Sequence, residues 1–234
     1  MKSLTKRHGD NLYPALFRAQ FGSHEMSLDV PAGVWNPTPH GVHLGNVLAE
    51  VDFSGEHVLE IGTGCGVHAL LLAWQGAARL TLTEIEAALL ETVRHNFAKH
   101  KVDTPTEYVV ADWVHIECGP FDTVVTNPPF AKSGKRYRRY FIDTLILDAH
   151  KLLKPGGRLI FVQSSMADVP RSIRMMEECG MTVGILGESD HEFRDYYFED
   201  PTYLLEMARL PGAYDVRGGL HFERLVAFEA RLPQ

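Results

Sequence analysis

The chain has 234 residues, 45% hydrophobic and 23% charged, with a formal net charge of -7. These values exclude a disordered or fibrous chain and suit one globular domain with an elaboration at one end, while the acidic balance speaks against phosphate contacts over the whole surface, although a local basic patch can override it. There is no apolar run near the roughly 20 residues that span a bilayer and no secretory signal in Met1–Gln20; Cys65, Cys118 and Cys179 are too few and too widely spaced for a disulfide framework, which fits a reducing cytosol.

In chain order, the spacing predicts a helix near Asn11–Phe21 and an extended piece at Met26–Val30. The turn-rich stretch Pro31–His40 follows, then a helix burying Val42, Leu44, Val47 and Leu48. After that, strand and helix alternate. His57–Ile61 reads as strand, Val67–Trp74 as helix, Arg79–Thr83 as strand and Ile85–Lys101 as helix, with Leu89, Leu90, Val93 and Phe97 at helical spacing. Strands are expected at Thr106–Val110 and Asp122–Thr126, a helix at Phe141–Leu153 stopped by Pro155-Gly156-Gly157, and a strand at Arg158–Ser164. The last third predicts a helix over Arg171–Cys179, a strand over Met181–Leu186, a short helix at Tyr203–Leu210 and a final strand at Glu223–Leu232. Such alternation builds an α/β fold, a mostly parallel sheet with helices on both faces. Residues 1–50 are expected to form an N-terminal cap and 51–234 the main domain, with an insertion at about 190–222.

The most informative segment is Val58-Leu-Glu-Ile-Gly-Thr-Gly-Cys-Gly66, which leaves an apolar strand and opens a helix. Gly62, Gly64 and Gly66 let backbone approach a ligand, and the helix start offers unpaired N–H groups. A dinucleotide fingerprint needs its third glycine five positions after the first. That position is Val67, so the match fails. The spacing acid-x-G-x-G-x-G resembles the first motif of the class I methyltransferases. The resemblance implies that this loop packs on the methionine part of S-adenosylmethionine, with Glu60 near its amino group and Thr63 among the contacts.

Two later acids extend the pattern. Glu84 ends the second strand, 22 residues after Gly62, where a carboxylate can accept hydrogen bonds from both ribose hydroxyls; it also suits a helix start. Asp112 follows the third strand. The resemblance implies that it binds the adenine amino group, that Trp113 lines the ring, and that Ile85 also touches the cofactor. Asp112 serves equally as a helix cap.

The segment Phe121-Asp-Thr-Val-Val-Thr-Asn-Pro-Pro-Phe130 points to the reaction. An apolar strand runs into Asn127-Pro128-Pro129-Phe130, whose prolines hold an extended turn that accepts hydrogen bonds but donates none from the ring nitrogens. The Asn127 side-chain oxygen and the Pro128 carbonyl can each take one hydrogen of an NH2 group, aiming its lone pair at the methyl-bearing sulfur, while Phe130 offers a flat stacking face. This motif is similar to that of N-methyltransferases acting on adenine N6, guanine N2 and glutamine side-chain nitrogen. From about His57 to Ser164 the chain resembles the methyltransferase small domain family, which includes ribosomal RNA guanine-N2 and release-factor glutamine enzymes. The resemblance implies a Rossmann-like, doubly wound seven-stranded sheet with an antiparallel last strand, and places Asn127, Pro128, Pro129 and Phe130 at the reacting centre, with Asn127 also beside the cofactor. Phe130 stands where glutamine methyltransferases usually carry Tyr, and the chain is too short for the extra N-terminal domain usual in the ribosomal guanine enzymes.

Between Lys132 and Arg139 five of eight residues are basic, interleaved with Tyr137 and followed by Tyr140 and Phe141. The loop either contacts acceptor phosphate or carboxylate, through Lys132 and Arg136, or is a solvated surface. Upstream, Thr38 is a candidate cofactor contact and His40 a candidate substrate contact; the same turn could simply cap the next helix. The aromatic stretch His191–Phe198 suits a lid or an oligomer surface, with packing the commoner use of such side chains. Twelve histidines show no metal-ligand spacing, so no metal is expected; His95 and His100 suit the exposed side of a helix, and Cys65 a small buried position.

The sequence therefore predicts a cytoplasmic S-adenosylmethionine-dependent N-methyltransferase with no membrane partner and a possible homodimer. Its acceptor is RNA, a protein glutamine or a small heteroaromatic molecule. The alternatives are a non-catalytic cofactor-binding partner subunit and a dinucleotide-dependent oxidoreductase.

Overall fold

The computed structural model describes residues 14–34, 36–112, 116, 118–129, 139–199 and 201–234. The described chain opens on a hairpin. Strands β1 (Ala15–Phe21) and β2 (His24–Val30) pair antiparallel about Gly22-Ser23, with Phe21 opposite His24. The helix expected near Asn11–Phe21 is thus corrected to strand over Ala15–Phe21; residues 11–13 lie outside the described ones. The period is two: Ala15, Phe17, Ala19 and Phe21 turn toward the core, and Leu16, Arg18 and Gln20 are exposed.

Helix α1 (Pro39–Leu48) starts at a Thr38 cap, whose Oγ1 accepts the Gly41 N–H at 3.3 Å, with proline in the first turn. Then follow β3 (His57–Ile61), α2 (Val67–Trp74), β4 (Arg79–Glu84), α3 (Ala87–Lys99), β5 (Thr106–Val110) and β6 (Phe121–Thr126). Next come α4 (Tyr140–Leu152), β7 (Leu153–Ser164), α5 (Val169–Glu178) and β8 (Thr182–Glu192). The chain ends with α6 (Pro201–Met207), β9 (Asp215–Arg217) and β10 (Leu220–Arg231).

The main sheet runs β5-β4-β3-β6-β7-β10-β8, and short β9 adds to β10. Strands β3 to β7 are parallel, while β10 is antiparallel to β7 and β8. This is the expected seven-strand path, with β9 as an addition. Two boundaries differ from expectation by more than three residues. Leu153 already has extended backbone, and Pro155 disfavours helix at Lys154, so Pro155-Gly156-Gly157 lies inside β7 instead of stopping α4. Strand β8 continues to Glu192 because β10, starting at Leu220, pairs with it up to that residue.

Strand alternation sends side chains into two cores. Val58, Leu80, Leu82, Val125, Ile160 and Leu225 pack with the hairpin, α1 and α2. Leu59, Ile61, Val124, Phe161, Val226 and Phe228 pack under α4 and α5. A third cluster, Phe193, Tyr197, Tyr203, Met207 and Ala213, docks the inserted segment on Met166, so most of these aromatics serve packing. Among the described residues no helix is long and apolar enough to cross a membrane.

Candidate active site

The strand order reverses between β3 and β6, and ligands of open parallel sheets bind at the carboxyl ends of the strands beside such a reversal. Ile61 of β3 pairs with Thr126 of β6, so the glycine turn and Asn127 leave the sheet side by side.

The glycine turn is stitched to β4. The Gly62 and Thr63 N–H groups donate to the Thr83 carbonyl at 3.0 and 3.1 Å, and Gly66 N–H closes the loop on Thr63 at 2.9 Å. Gly62 and Gly64 have φ of 73° and 55°, and a Cβ on either would meet open space. These two positions leave a bare backbone cradle. Gly66 works differently: its Cβ would sit 3.1 Å from Val93, so it is small to let α3 pack.

Glu84 reaches back to this loop, accepting the Gly64 N–H at 3.1 Å and the Ile85 N–H at 2.9 Å. Burial pushes its carboxyl above the ordinary carboxylate range, against the pull of those two donors. The Ile85 side chain and Asp112 are exposed beyond β4 and β5. Glu60 lies under the loop, fully buried. Its carboxylate accepts from Thr63 Oγ1 at 2.7 Å and faces His68 Nδ1 at 3.2 Å. Through these two contacts it braces the turn. Burial also pushes the Cys65 thiol up to about 12, consistent with an inert packing residue.

Three residues that sequence reading passed over complete the scaffold. Asn96, with no exposed surface, donates to the Asp29 and Cys65 carbonyls at 3.0 Å each and accepts the Asp29 N–H at 2.9 Å. It ties the hairpin to the glycine turn. Its signal was a polar residue on the buried stripe between Val93 and Phe97. His68 joins Glu60 to the Gly41 carbonyl, 2.9 Å from Nε2; its signal was one imidazole in an otherwise apolar helix. Glu223 had no local signal, since its surroundings come from β7, β8 and α1.

Gly41 brings α1 against the acceptor turn: a Cβ there would lie 3.5 Å from Asn127 Nδ2. His40, the preceding residue, points to Glu223 instead, with Nε2 and Oε2 3.5 Å apart. His43, one turn on, is 3.2 Å from the Gly187 carbonyl and 2.9 Å from Ser189 Oγ, fixing α1 to β8. Thr38 is the α1 cap. Thus Glu60, Gly62, Thr63, Gly64, Gly66 and Glu84 form one group, while Asn127 and Gly41 adjoin it. Trp113, Phe130, Lys132 and Arg136 lie outside the described residues. His95, exposed, pairs with Asp29 at 2.8 Å, and His100 caps α3 with Nε2 2.8 Å from the Ser27 carbonyl.

The profile of the methyltransferase small domain family matches residues 44–188. The chain belongs to this family. Ribosomal RNA small subunit methyltransferase C of Serratia proteamaculans is 29% identical over 63% of this chain and 42% of its own. The release factor glutamine methyltransferase of Chlorobaculum tepidum is 30% identical over 44% of this chain and 44% of its own. A T. thermophilus 16S rRNA N2 methyltransferase, solved in complex with AdoMet and guanosine, superposes with a TM-score of 0.64 at 19% identity, over 94% of this chain and 51% of that one. The chain thus spans about half the length of these relatives. As a methyltransferase small domain protein it has the fold of the S-adenosylmethionine-dependent methyltransferases. The residues present fit the cofactor: the backbone above Gly62 and Gly64 is open, and carboxylates sit at or just beyond the ends of adjacent strands β4 and β5.

Proposed function

We propose that the chain methylates the exocyclic nitrogen of a flat, conjugated acceptor, a nucleobase of RNA ahead of a protein glutamine or a small heteroaromatic molecule. One observation carries this reading. The Asn127-Pro128-Pro129 turn leaves β6 beside the bare glycine cradle, with Gly41 packed against Asn127.

In this reading the Gly62–Gly64 backbone and Thr63 hold the methionine end of the cofactor, and Glu84 its ribose. Asp112 holds the adenine, and Thr38 and Ile85 flank the group. When bound, S-adenosylmethionine supplies a methyl group on a sulfonium whose departure as a neutral thioether needs no acid. Asn127 Oδ1 and the Pro128 carbonyl each accept one hydrogen of the acceptor NH2. The nitrogen lone pair then has one direction left, toward the cofactor side. As that nitrogen becomes positive, both oxygens stabilise it, and one proton later leaves to solvent. Phe130 gives the ring a stacking face, and Lys132 and Arg136 contact acceptor phosphate.

The test is calorimetric titration with S-adenosylmethionine and, separately, NAD, followed by labelled methyl transfer into total RNA and into glutamine-containing peptide. Binding of the first ligand alone, with label entering RNA, is expected. NAD binding, or label in peptide only, overturns the reading.

A further inference from the structure

Helix α2 is apolar from Val67 to Trp74 except at His68, which is 7% exposed. An aliphatic side chain would fill this place without the desolvation cost of an imidazole. The ring therefore supplies something that packing does not. Both of its nitrogens are engaged: Nδ1 lies 3.2 Å from Glu60 Oε1, and Nε2 lies 2.9 Å from the Gly41 carbonyl. A carbonyl only accepts, so Nε2 carries a hydrogen. Glu60 has no exposed surface, and its other oxygen is satisfied by Thr63. A carboxylate at that depth needs a counter-charge or a proton. A second hydrogen therefore lies between Oε1 and Nδ1, since without it two lone pairs would face each other. Whichever atom holds it, the pair is neutral overall and the ring is locked in one orientation.

The far end of this bridge adjoins the acceptor turn. A Cβ on Gly41 would lie 3.8 Å from His68 Nε2 and 3.5 Å from Asn127 Nδ2. The first turn of α1, just inside its Thr38 cap, is thus held between the two side chains. Helix α1 cannot shift away from His68 without stretching the bond to the Gly41 carbonyl. At the near end, Glu60 sits on β3 beside β6, the strand that delivers Asn127.

We propose that His68 is a positioning residue for methyl transfer. By holding the Gly41 carbonyl it fixes α1 as the wall against which Asn127 is oriented. Through Glu60 and Thr63 it ties that wall to the glycine turn, so one ring couples the cofactor loop to the acceptor turn. The role needs no contact with cofactor or acceptor and moves no proton during the reaction. It rests on the reading of Asn127 as the acceptor turn. Losing the Gly41 bond frees Asn127 to reorient, which lowers turnover more than cofactor affinity.

Three variants test this on protein saturated with S-adenosylhomocysteine. His68→Leu removes both contacts. His68→Asn keeps a donor at the place of Nδ1, toward Glu60, and His68→Gln keeps one at the place of Nε2, toward Gly41. The first readout is the NMR resonance of the Asn127 side-chain amide, identified by its loss in Asn127→Ala. It should move in His68→Leu and His68→Asn and stay near its wild-type place in His68→Gln. The second is labelled methyl transfer into total RNA. There kcat should fall about tenfold or more in the first two variants, with KM for S-adenosylmethionine within twofold, and His68→Gln should recover most of the loss. An unaffected His68→Leu shows packing alone, and rescue by His68→Asn instead of His68→Gln shows support of Glu60 alone. Either result overturns the proposal, as does an Asn127 amide unmoved in all three. Absence of label in RNA with the wild type faults the proposed acceptor instead, and the amide pattern then decides the role of His68. Unchanged turnover in Asn127→Ala faults the acceptor turn itself.

Discussion

The Glu84 carboxylate accepts the Gly64 N–H at 3.1 Å, so the acid that ends β4 also braces the glycine turn beside β3. One side chain thus sets the loop and faces the proposed ribose position. Replacing Glu84 by Ala should weaken S-adenosylhomocysteine binding by tenfold or more, measured by calorimetry. Because burial raises the Glu84 carboxyl above 4.5, wild-type affinity should begin to fall at a higher pH than an ordinary glutamate would give as the solution is acidified. Flat affinity down to pH 4.5 would remove Glu84 from the cofactor site.

Gly64 and Gly66 should fail in different ways. Both have positive φ, which costs an alanine about 1 kcal/mol or more. Gly64→Ala projects into open space, so it should lower Tm slightly while sharply weakening cofactor binding. Gly66→Ala meets Val93 at 3.1 Å and should show the larger Tm loss. Thermal melts with and without S-adenosylhomocysteine separate the two.

Asn127→Ala removes one of two acceptors that align the reacting nitrogen. Cofactor affinity should stay within about twofold while turnover falls roughly 10²-fold, as for a contact made mainly in the transition state. A matched loss of affinity and turnover would make Asn127 a cofactor ligand only.

Asn96→Ala should destabilise the protein by about 2–3 kcal/mol, because its partners on Asp29 and Cys65 lose their bonds in largely buried surroundings. In a chain of this size that corresponds to a Tm decrease of roughly 4–12 °C. A change below one degree would show that the hairpin does not depend on this link.

Burial opposes charge on His40 and Glu223 alike, with opposite pH consequences. Glu223 has its pKa raised from 4.5, so its contribution is fully present below 4.5 and is lost as pH rises through the folded value. His40 is lowered from 6.5 to about 3; its contribution is present above 6.5 and fades as pH falls through about 3. Glu223→Gln should therefore gain Tm relative to wild type as pH is raised above 4.5. A Tm difference that is constant from pH 4.5 to 8 would contradict this.

Much of the sheet was legible because its strands are short apolar runs ended by glycine, acid or proline. His57–Ile61, Val67–Trp74 and Thr106–Val110 fall at the boundaries their residues imply. The hairpin was not legible, since Leu16-Phe-Arg-Ala-Gln-Phe21 fits either period until β2 supplies its partner. The glycine turn and the Asn-Pro-Pro turn declared themselves because their chemistry is local and contiguous. His40 was a candidate by position alone. Its opposition to Glu223 joins residues 183 positions apart through the return of β10, which no local pattern encodes.

The sheet divides its labour about the Asn127 turn. The glycine turn, Glu84 and Asp112 lie at or just beyond the ends of β3, β4 and β5 on one flank, while the buried Glu223 belongs to β10, between β7 and β8, on the other. A chimera that keeps residues up to the β6 turn and borrows the other flank from a relative should retain the loops proposed to hold its methyl donor. Helix α1, which carries both His40 and Gly41, and the contacts of Lys154 and Arg158 with Asp122, Thr123 and Glu56 would have to be refitted across the seam.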